Sequence, residues 1–345
     1  MESITIKDVA RICGVGVSTV SRAINNHPDI NVDTKKLILE TIKTYNYIPN
    51  DSARNLKRVD ARAIAILVKG ITNPFFSKMI KIMEKEIQQK KYSLILHHVE
   101  DEVDEVEVAL QLIKEKRLRG IIFLGGYFSH TEKKLRQLRV PFVLSTISAT
   151  DLIPREIYSS VCVDDFKESY KMTKYLCELG HTKIMHITAH EGDKSIGRLR
   201  LNGYMKALED MGIEVDQELI VHMDSMYEAY SMENGYEITK KFLQKGKEFT
   251  AVFAISDQLA IGATRAIIDA GYQVPKDVSV AGFDGIDLGR YYCPRITSLK
   301  QPVDQIAKES IQTLFEAIEN KNKHEHKIFE GELLEGESTR EVKKG

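Results

Sequence analysis

The sequence predicts an N-terminal all-α head of helix-turn-helix type with a hinge helix, followed by an α/β core of two lobes with parallel sheets. Residues 5–25, TIKDVARICGVGVSTVSRAIN, set two short amphipathic segments on either side of a glycine break. From residue 63 onward, short apolar runs alternate with longer amphipathic stretches, and eight such runs fall in two sets of four. Continuous apolar strands alternating with helices belong to parallel sheets covered on both faces. Charge divides at the same place. Residues 1–58 hold nine Lys/Arg against six Asp/Glu, a net +3, and the remaining 40 basic and 44 acidic residues give −4. A basic head on a mildly acidic body suits a nucleic-acid partner for the head alone.

In the head, Thr5 can cap a first helix over residues 6–13, which Gly14-Val15-Gly16 ends. A second helix runs from Val17 to about Asn25, and Pro28 disfavours its continuation. Asp33 is placed to cap a third, in which Leu37, Ile38, Ile42 and Tyr45 recur at helical spacing. Pro49 closes the unit. Residues 50–58, NDSARNLKR, carry too few apolar positions to bury a face unaided and read as a hinge that folds when supported.

In the core, the first four runs are AIAILV (63–68), YSLILHH (92–98), GIIFLGG (120–126) and PFVLST (141–146). The second four are KIMHITA (183–189), ELIVHM (218–223), AVFAISD (251–257) and VSVAGFDG (278–285). SVCVDDF (160–166) and ITSLKQ (296–301) are candidate crossovers between lobes, QIAKESIQTLFEAIE reads as a last helix, and IFEGELLEGEST (328–339) as a terminal edge strand. The expected domains are a head and hinge over 1–58 and a core over 59–345. Lobe 1 is expected at about 62–161 plus 292–325, and lobe 2 at 162–291 plus 326–345. Ligands of open α/β sheets bind beyond the carboxyl ends of the strands, so those ends are the positions to inspect.

Bulk properties narrow the function classes. At 345 residues, 43% hydrophobic and 29% charged, the chain has the length for two or three globular domains. No apolar run approaches the roughly 18 residues of a membrane span. The N-terminus lacks the basic and apolar regions of a secretory signal, so a cytoplasmic setting is expected. Cys13, Cys162, Cys177 and Cys293 are scattered, without CxxC spacing, and read as reduced packing residues. P-loop, GxSxG and HExxH motifs are absent, so the chain is not expected to be an enzyme. His97-His98 and His324-Glu325-His326 are read as solvated histidines rather than metal ligands, and neither a cofactor nor a metal is expected.

The second helix is where the head acquires chemistry. If Val9, Ala10, Val15, Val20 and Ile24 pack inward, then Val17, Ser18, Ser21, Arg22 and Asn25 face outward. Arg22 can make a bidentate contact to guanine, and Val17 can touch a thymine methyl. Ser18, Thr19 and Ser21 have hydroxyls suited to phosphates or bases. A small helical cap with a solvated polar face would carry the same pattern.

The stretches Thr5-Ile6-Lys7-Asp8-Val9-Ala10, Gly14-Val15 and Thr19-Val20-Ser21-Arg22, with Asn25, are similar to the signature of the LacI/GalR family of regulators. Tyr47-Ile48-Pro49-Asn50, Ala53-Arg54 and Leu56 resemble that family's hinge. The resemblance runs on in order through Asn73-Pro74-Phe75-Phe76, Gly180-His181, Arg200-Leu201-Asn202-Gly203-Tyr204, Asp257-Gln258-Leu259-Ala260-Ile261-Gly262, Gly282-Phe283-Asp284 and Gln301-Pro302. Gly16 stands where the family usually has serine at the cap of the recognition helix.

The resemblance implies a sequence-specific transcription regulator, a repressor of carbohydrate-related genes, with two periplasmic-binding-protein-like lobes and an effector in the cleft between them. The implied DNA contacts are Thr5, Val17, Ser18, Thr19, Ser21, Arg22 and Asn25, with Asn50, Ala53 and Leu56 in the hinge. Leu56 would wedge into a minor-groove base step of a pseudo-palindromic operator. The implied effector contacts are Phe75, Phe76, Ser145, Arg200, Asp257 and Asp284. Tyr227 or Tyr230 would stand in for the family's indole platform, because the chain has no tryptophan. Ser256 replaces an asparagine common in the family. The expected partners are a double-stranded operator, a sugar or sugar derivative, and a second copy of the chain as a homodimer. A catabolite-control regulator taking a phosphorylated carrier protein as corepressor is the alternative. A solute-binding protein fits less well.

Overall fold

A computed structural model of the protein describes residues 4–24, 26–45, 47, 62–100, 102–126, 128–147, 153–193, 196–320 and 323–342. The chain divides into two compact units, residues 1–61 and 62–345. The expected hinge residues Asn50, Ala53 and Leu56, and Asn25 of the head, lie outside the described residues.

The first unit contains α1 (Ile6–Ile12), α2 (Val17–Ile24) and α3 (Val32–Thr44). Val9 and Ala10 of α1, Val20 and Ala23 of α2, Ile38 of α3 and Tyr47 form its buried core, with Val15, Ile24 and Ile42 partly buried around it. Two expectations for α3 fail. Leu37 and Tyr45 are exposed, because the buried face runs through Ile38 and Thr41. The cap is Asn31, whose side chain accepts from the backbone N–H of Asp33 and Thr34 at 2.9 and 3.2 Å. Asp33 instead lies in the first turn, where its charge complements the helix dipole.

The second unit holds two six-stranded sheets. The elements of the first lobe are β1 (Ala63–Val68), α4 (Pro74–Gln89), β2 (Ser93–His98), α5 (Glu105–Lys116), β3 (Leu118–Leu124), α6 (Glu132–Leu135), β4 (Phe142–Ser145) and β5 (Ser159–Val163). Those of the second are α7 (Asp165–Glu178), β6 (Ile184–Thr188), α8 (Ile196–Asp210), β7 (Ile220–His222), α9 (Met232–Leu243), β8 (Ala251–Ala254), α10 (Asp257–Asp269), β9 (Ser279–Asp284), α11 (Asp287–Tyr291) and β10 (Thr297–Lys300). The chain then returns through α12 (Val303–Glu319) and β11 (His326–Phe329) to the first lobe and ends with β12 (Glu332–Leu334) in the second.

Strand order is β11-β5-β4-β3-β1-β2 in one sheet and β12-β10-β9-β8-β6-β7 in the other. The pairs are parallel except β10–β12, an antiparallel edge. Each of the eight apolar runs forms one strand, and both sheets reverse direction at the same point, β1/β3 and β6/β8. Ligand crevices of open α/β sheets form at such switch points.

The lobe limits need correction. Residues 297–300 pair with β9 and bury Leu299 in the second lobe, so they do not belong to the first. Residues 326–329 pair with β5, so they belong to the first and not the second. The expected single edge strand at 328–339 is therefore split, and the tail closes one edge of each sheet. Cys162 and Cys177 are buried, with their thiols pushed up to about 12 and about 11 chiefly by desolvation, which fits a packing role. Among the described residues, no helix is long and apolar enough to cross a membrane.

Candidate functional site

In the head, α1 and α2 meet through a tight turn. Gly14 has φ +65, the left-handed conformation that favours glycine, and the Val15 N–H returns to the Ala10 carbonyl at 3.0 Å. The Gly16 carbonyl accepts the first bonds of α2, from Thr19 and Val20 at 2.9 and 3.2 Å. A Cβ on Gly16 would meet only ordinary contacts, so a serine fits this cap without displacing anything. With Val20 and Ala23 turned inward, α2 exposes Val17, Ser18, Ser21 and Arg22 and leaves Thr19 half-buried. This outward face is the one a recognition helix presents to base edges.

Thr5 and Arg22 also have internal partners. The Thr5 hydroxyl and backbone N–H both donate to the Asp8 carboxylate, at 2.7 and 2.9 Å, which with Arg11 holds that carboxyl below its usual range. Thr5 is thus fixed as the start of α1. Arg22 lies 3.4 Å from Asp29, which also bonds His27. Arg22 is 59% exposed, and a solvated pair of that kind is weak enough to exchange for a phosphate or base.

In the core, a buried polar cluster spans the carboxyl ends of β8 and β9. The Arg200 Nε and a terminal nitrogen each lie 2.8 Å from one oxygen of Asp165, another nitrogen donates to the Ile255 carbonyl, and the guanidinium stacks 3.6 Å from the Phe283 ring centre. The resemblance implies an effector contact at Arg200, and here its guanidinium closes on Asp165. Asp284 lies 3.9 Å from Arg200 and accepts from Gln301 at 2.9 Å and Asn73 at 3.4 Å. Its φ of +110 is rare for a residue with a side chain, and such strain gathers at ligand sites. Burial raises the carboxyl of Asp284, raises that of Asp165 to about 6 against the pull of Arg200, and raises that of Asp257 to about 8.

The remaining expected contacts separate. Phe75 and Phe76 are buried edge to face, with centroids 5.4 Å apart. Phe75 and Asp284 line one cavity of about 430 Å³ with Lys78, Ile286, Gln301 and Val303. Asn73 accepts from the Phe75 N–H at 3.0 Å and caps α4, with Pro74 following it. Ser145 lies apart. It is fully buried, 2.8 Å from Ser310, whose own proton goes to the Ile306 carbonyl, so Ser145 donates into the core. Asp257 is buried too, bonded to the Ile286 N–H and the Ser298 hydroxyl. The cap of α10 is Ser256, which accepts from Leu259 at 3.3 Å.

Four residues join the site that sequence reasoning did not single out as contacts: Asp165, Gln301, Thr72 and Glu228. The Thr72 hydroxyl donates to Glu228 at 2.6 Å across the two lobes. Ile286 of the second lobe is buried in the first lobe's apolar cluster, and Ile196 packs on that lobe's other face. The lobes are therefore in direct contact. Tyr230, with φ +59, is close enough to Arg200, Asp165 and Asp284 to feel their charge, and burial raises its phenol. Tyr227 instead lies beside Lys241.

Known proteins share this fold. The family described as bacterial regulatory proteins, lacI family, matches residues 5–50, and a periplasmic binding protein-like domain matches residues 173–339. The HTH-type transcriptional regulator MalR of Clostridium butyricum is 42% identical over 335 residues, covering 96% of this chain and 98% of its own. Among solved structures, the lac repressor dimer bound to operator and the anti-inducer ONPF aligns with TM-score 0.75 at 24% identity, over 98% of this chain and 100% of that one. The CelR–cellobiose complex aligns with TM-score 0.68 at 25% identity, over 97% and 99%.

Proposed function

The chain belongs to the lacI family of bacterial regulatory proteins, and from that premise we propose that it represses carbohydrate-related genes as a cytoplasmic homodimer released or engaged by a sugar. It is a DNA-binding transcription regulator with an effector-binding core, as its relatives are. In this reading α2 enters the major groove, Val17 and Arg22 read base edges, and Ser18, Thr19 and Ser21 contact phosphates or bases. Two heads related by the dimer axis meet the two halves of a pseudo-palindrome.

The observation that carries the effector assignment is Asp284. It is a buried acceptor on strained backbone, beside Arg200 on one side and on the wall of a cavity shared with Phe75 on the other. An aromatic face with a few converging polar groups suits a hydroxyl-rich ligand, and the CelR structure holds cellobiose. A sugar that prefers one lobe angle shifts the population of that angle, and occupancy is thereby linked to DNA affinity. Thermal denaturation of the full chain against a panel of sugars, nucleosides and sugar phosphates tests the reading. A binding sugar raises the midpoint by mass action. A shift with nucleosides alone would replace the sugar assignment.

A further inference from the structure

The turn after β9 touches both lobes within three residues. Asp284 faces Arg200, with Gln301 and Asn73 on its carboxylate. Gly285 has φ +70, and a Cβ there would lie 2.5 Å from that of Lys300, so both conformation and space call for glycine. Ile286 then leaves the second lobe's sheet and is buried among Phe75, Phe76, Val303 and Ile306 of the first lobe.

What fixes this turn is Asp257, the first residue of α10. One carboxyl oxygen accepts the Ile286 N–H at 2.7 Å, and the other accepts the Ser298 hydroxyl at 2.5 Å. The Ser298 oxygen in turn accepts the Gly285 N–H at 3.1 Å. The carboxyl occupies the space a side chain at position 282 would need: a Cβ on Gly282 would sit 2.3 Å from it. Asp257 is 1% exposed, so it is spent on the turn.

We propose that Asp257 is a positioning residue that makes the turn 284–286 one rigid piece, so that Asp284 in the effector site and Ile286 in the first lobe move together. The proposal rests on reading the cleft as the effector site. It replaces a direct ligand contact at Asp257 with a mechanical one. A ligand that shifts Asp284 thereby shifts the seat of Ile286 and the angle between the lobes. Burial raises the Asp257 carboxyl to about 8, with Asp284 adding to the rise. An asparagine keeps one acceptor oxygen for the Ile286 N–H, and its amide can donate to the Ser298 oxygen once that hydroxyl turns away.

Hydrogen exchange on the ligand-free full chain tests this. In Asp257→Ala, amides of residues 284–288 exchange on the order of tenfold faster, the scale of a lost buried hydrogen bond. Residues 303–315, which cover the Ile286 seat, follow, while residues 63–68 keep their protection. Asp257→Asn restores both segments. Unchanged exchange at 284–288 in Asp257→Ala overturns the proposal, as does an asparagine variant as labile as the alanine one. Change confined to the second lobe overturns the coupling. Should Asp257→Ala fail to fold, Ser298→Ala removes the hydroxyl donor to Asp257 together with the acceptor of the Gly285 N–H, and it is read at residues 286–288 and 303–315. The measurement uses no sugar, so failure of the sugar assignment and failure of this one remain distinguishable.

Discussion

Arg200 closes on Asp165 through two guanidinium nitrogens, each 2.8 Å from the same carboxylate oxygen. Asp165 begins α7, directly after the first crossover, and Arg200 sits on α8, so the pair pins the second lobe's first two helices together at the cleft. Both residues are almost wholly buried. Removing one partner of a buried pair strands the other's charge at about 3–5 kcal/mol, whereas removing both can be nearly neutral. Arg200→Met should therefore lower core stability by that order, and Asp165→Asn in the same chain should recover most of it. A denaturant double-mutant cycle reads this directly. Additive losses would mean the two do not act as a pair.

Asp284→Ala should abolish the sugar-induced shift in melting temperature while leaving DNA affinity without sugar intact. The carboxylate is the acceptor that Asn73 and Gln301 already use and that ligand hydroxyls would share. A normal shift in the variant would place the effector elsewhere.

Arg22→Ala should cost about 1–3 kcal/mol of specific DNA binding and relax preference at one base position, the expectation for a bidentate guanine contact. Sugar binding by the core should not change. Competition assays with specific and random duplexes check both. Equal losses on specific and random DNA would make Arg22 a phosphate contact.

The apolar patterning of the core was legible because six of its strands are buried along their length: β1, β4, β5, β6, β8 and β9 have no exposed position. Solvated elements were harder to read. Leu37 and Tyr45 share spacing with Ile38 and Ile42, and spacing does not say which apolar face turns inward. The tail 326–334 divides between sheets because two hydrogen-bonding edges compete for it, a choice set by tertiary structure. For the same reason the fate of Ser145 and Asp257 was hidden: their partners Ser310, Ser298 and Ile286 are distant in sequence.

His186 supplies a pH test. It is buried, stacked 4.4 Å from Tyr204, bonded through Nδ1 to the Phe253 carbonyl at 3.0 Å, and its Nε2 has no hydrogen-bond partner among the described residues. Desolvation depresses its pKa to about 3. A depressed histidine contributes stability that is present above its unfolded value near 6.5 and is lost as pH falls toward 3, at up to about 1.4 kcal/mol per pH unit. Asp165 and Asp257, whose pKa values are raised, work oppositely, losing stability as pH rises through about 6 and about 8. The difference between wild type and His186→Gln isolates the histidine. It should shrink steadily in favour of the variant from pH 6.5 to 4, as read by urea midpoints. A pH-independent difference would mean His186 is charged in the fold.

The central claim is that DNA binding by the head answers to what the core holds. Its most direct test is the affinity of the full chain for a duplex selected from random sequence, titrated with and without a saturating sugar from the thermal screen. The account predicts a change of about fivefold or more, matched by an equal factor in sugar affinity when the duplex is present, because linkage is reciprocal. Identical DNA affinity with the sugar bound and absent would contradict it.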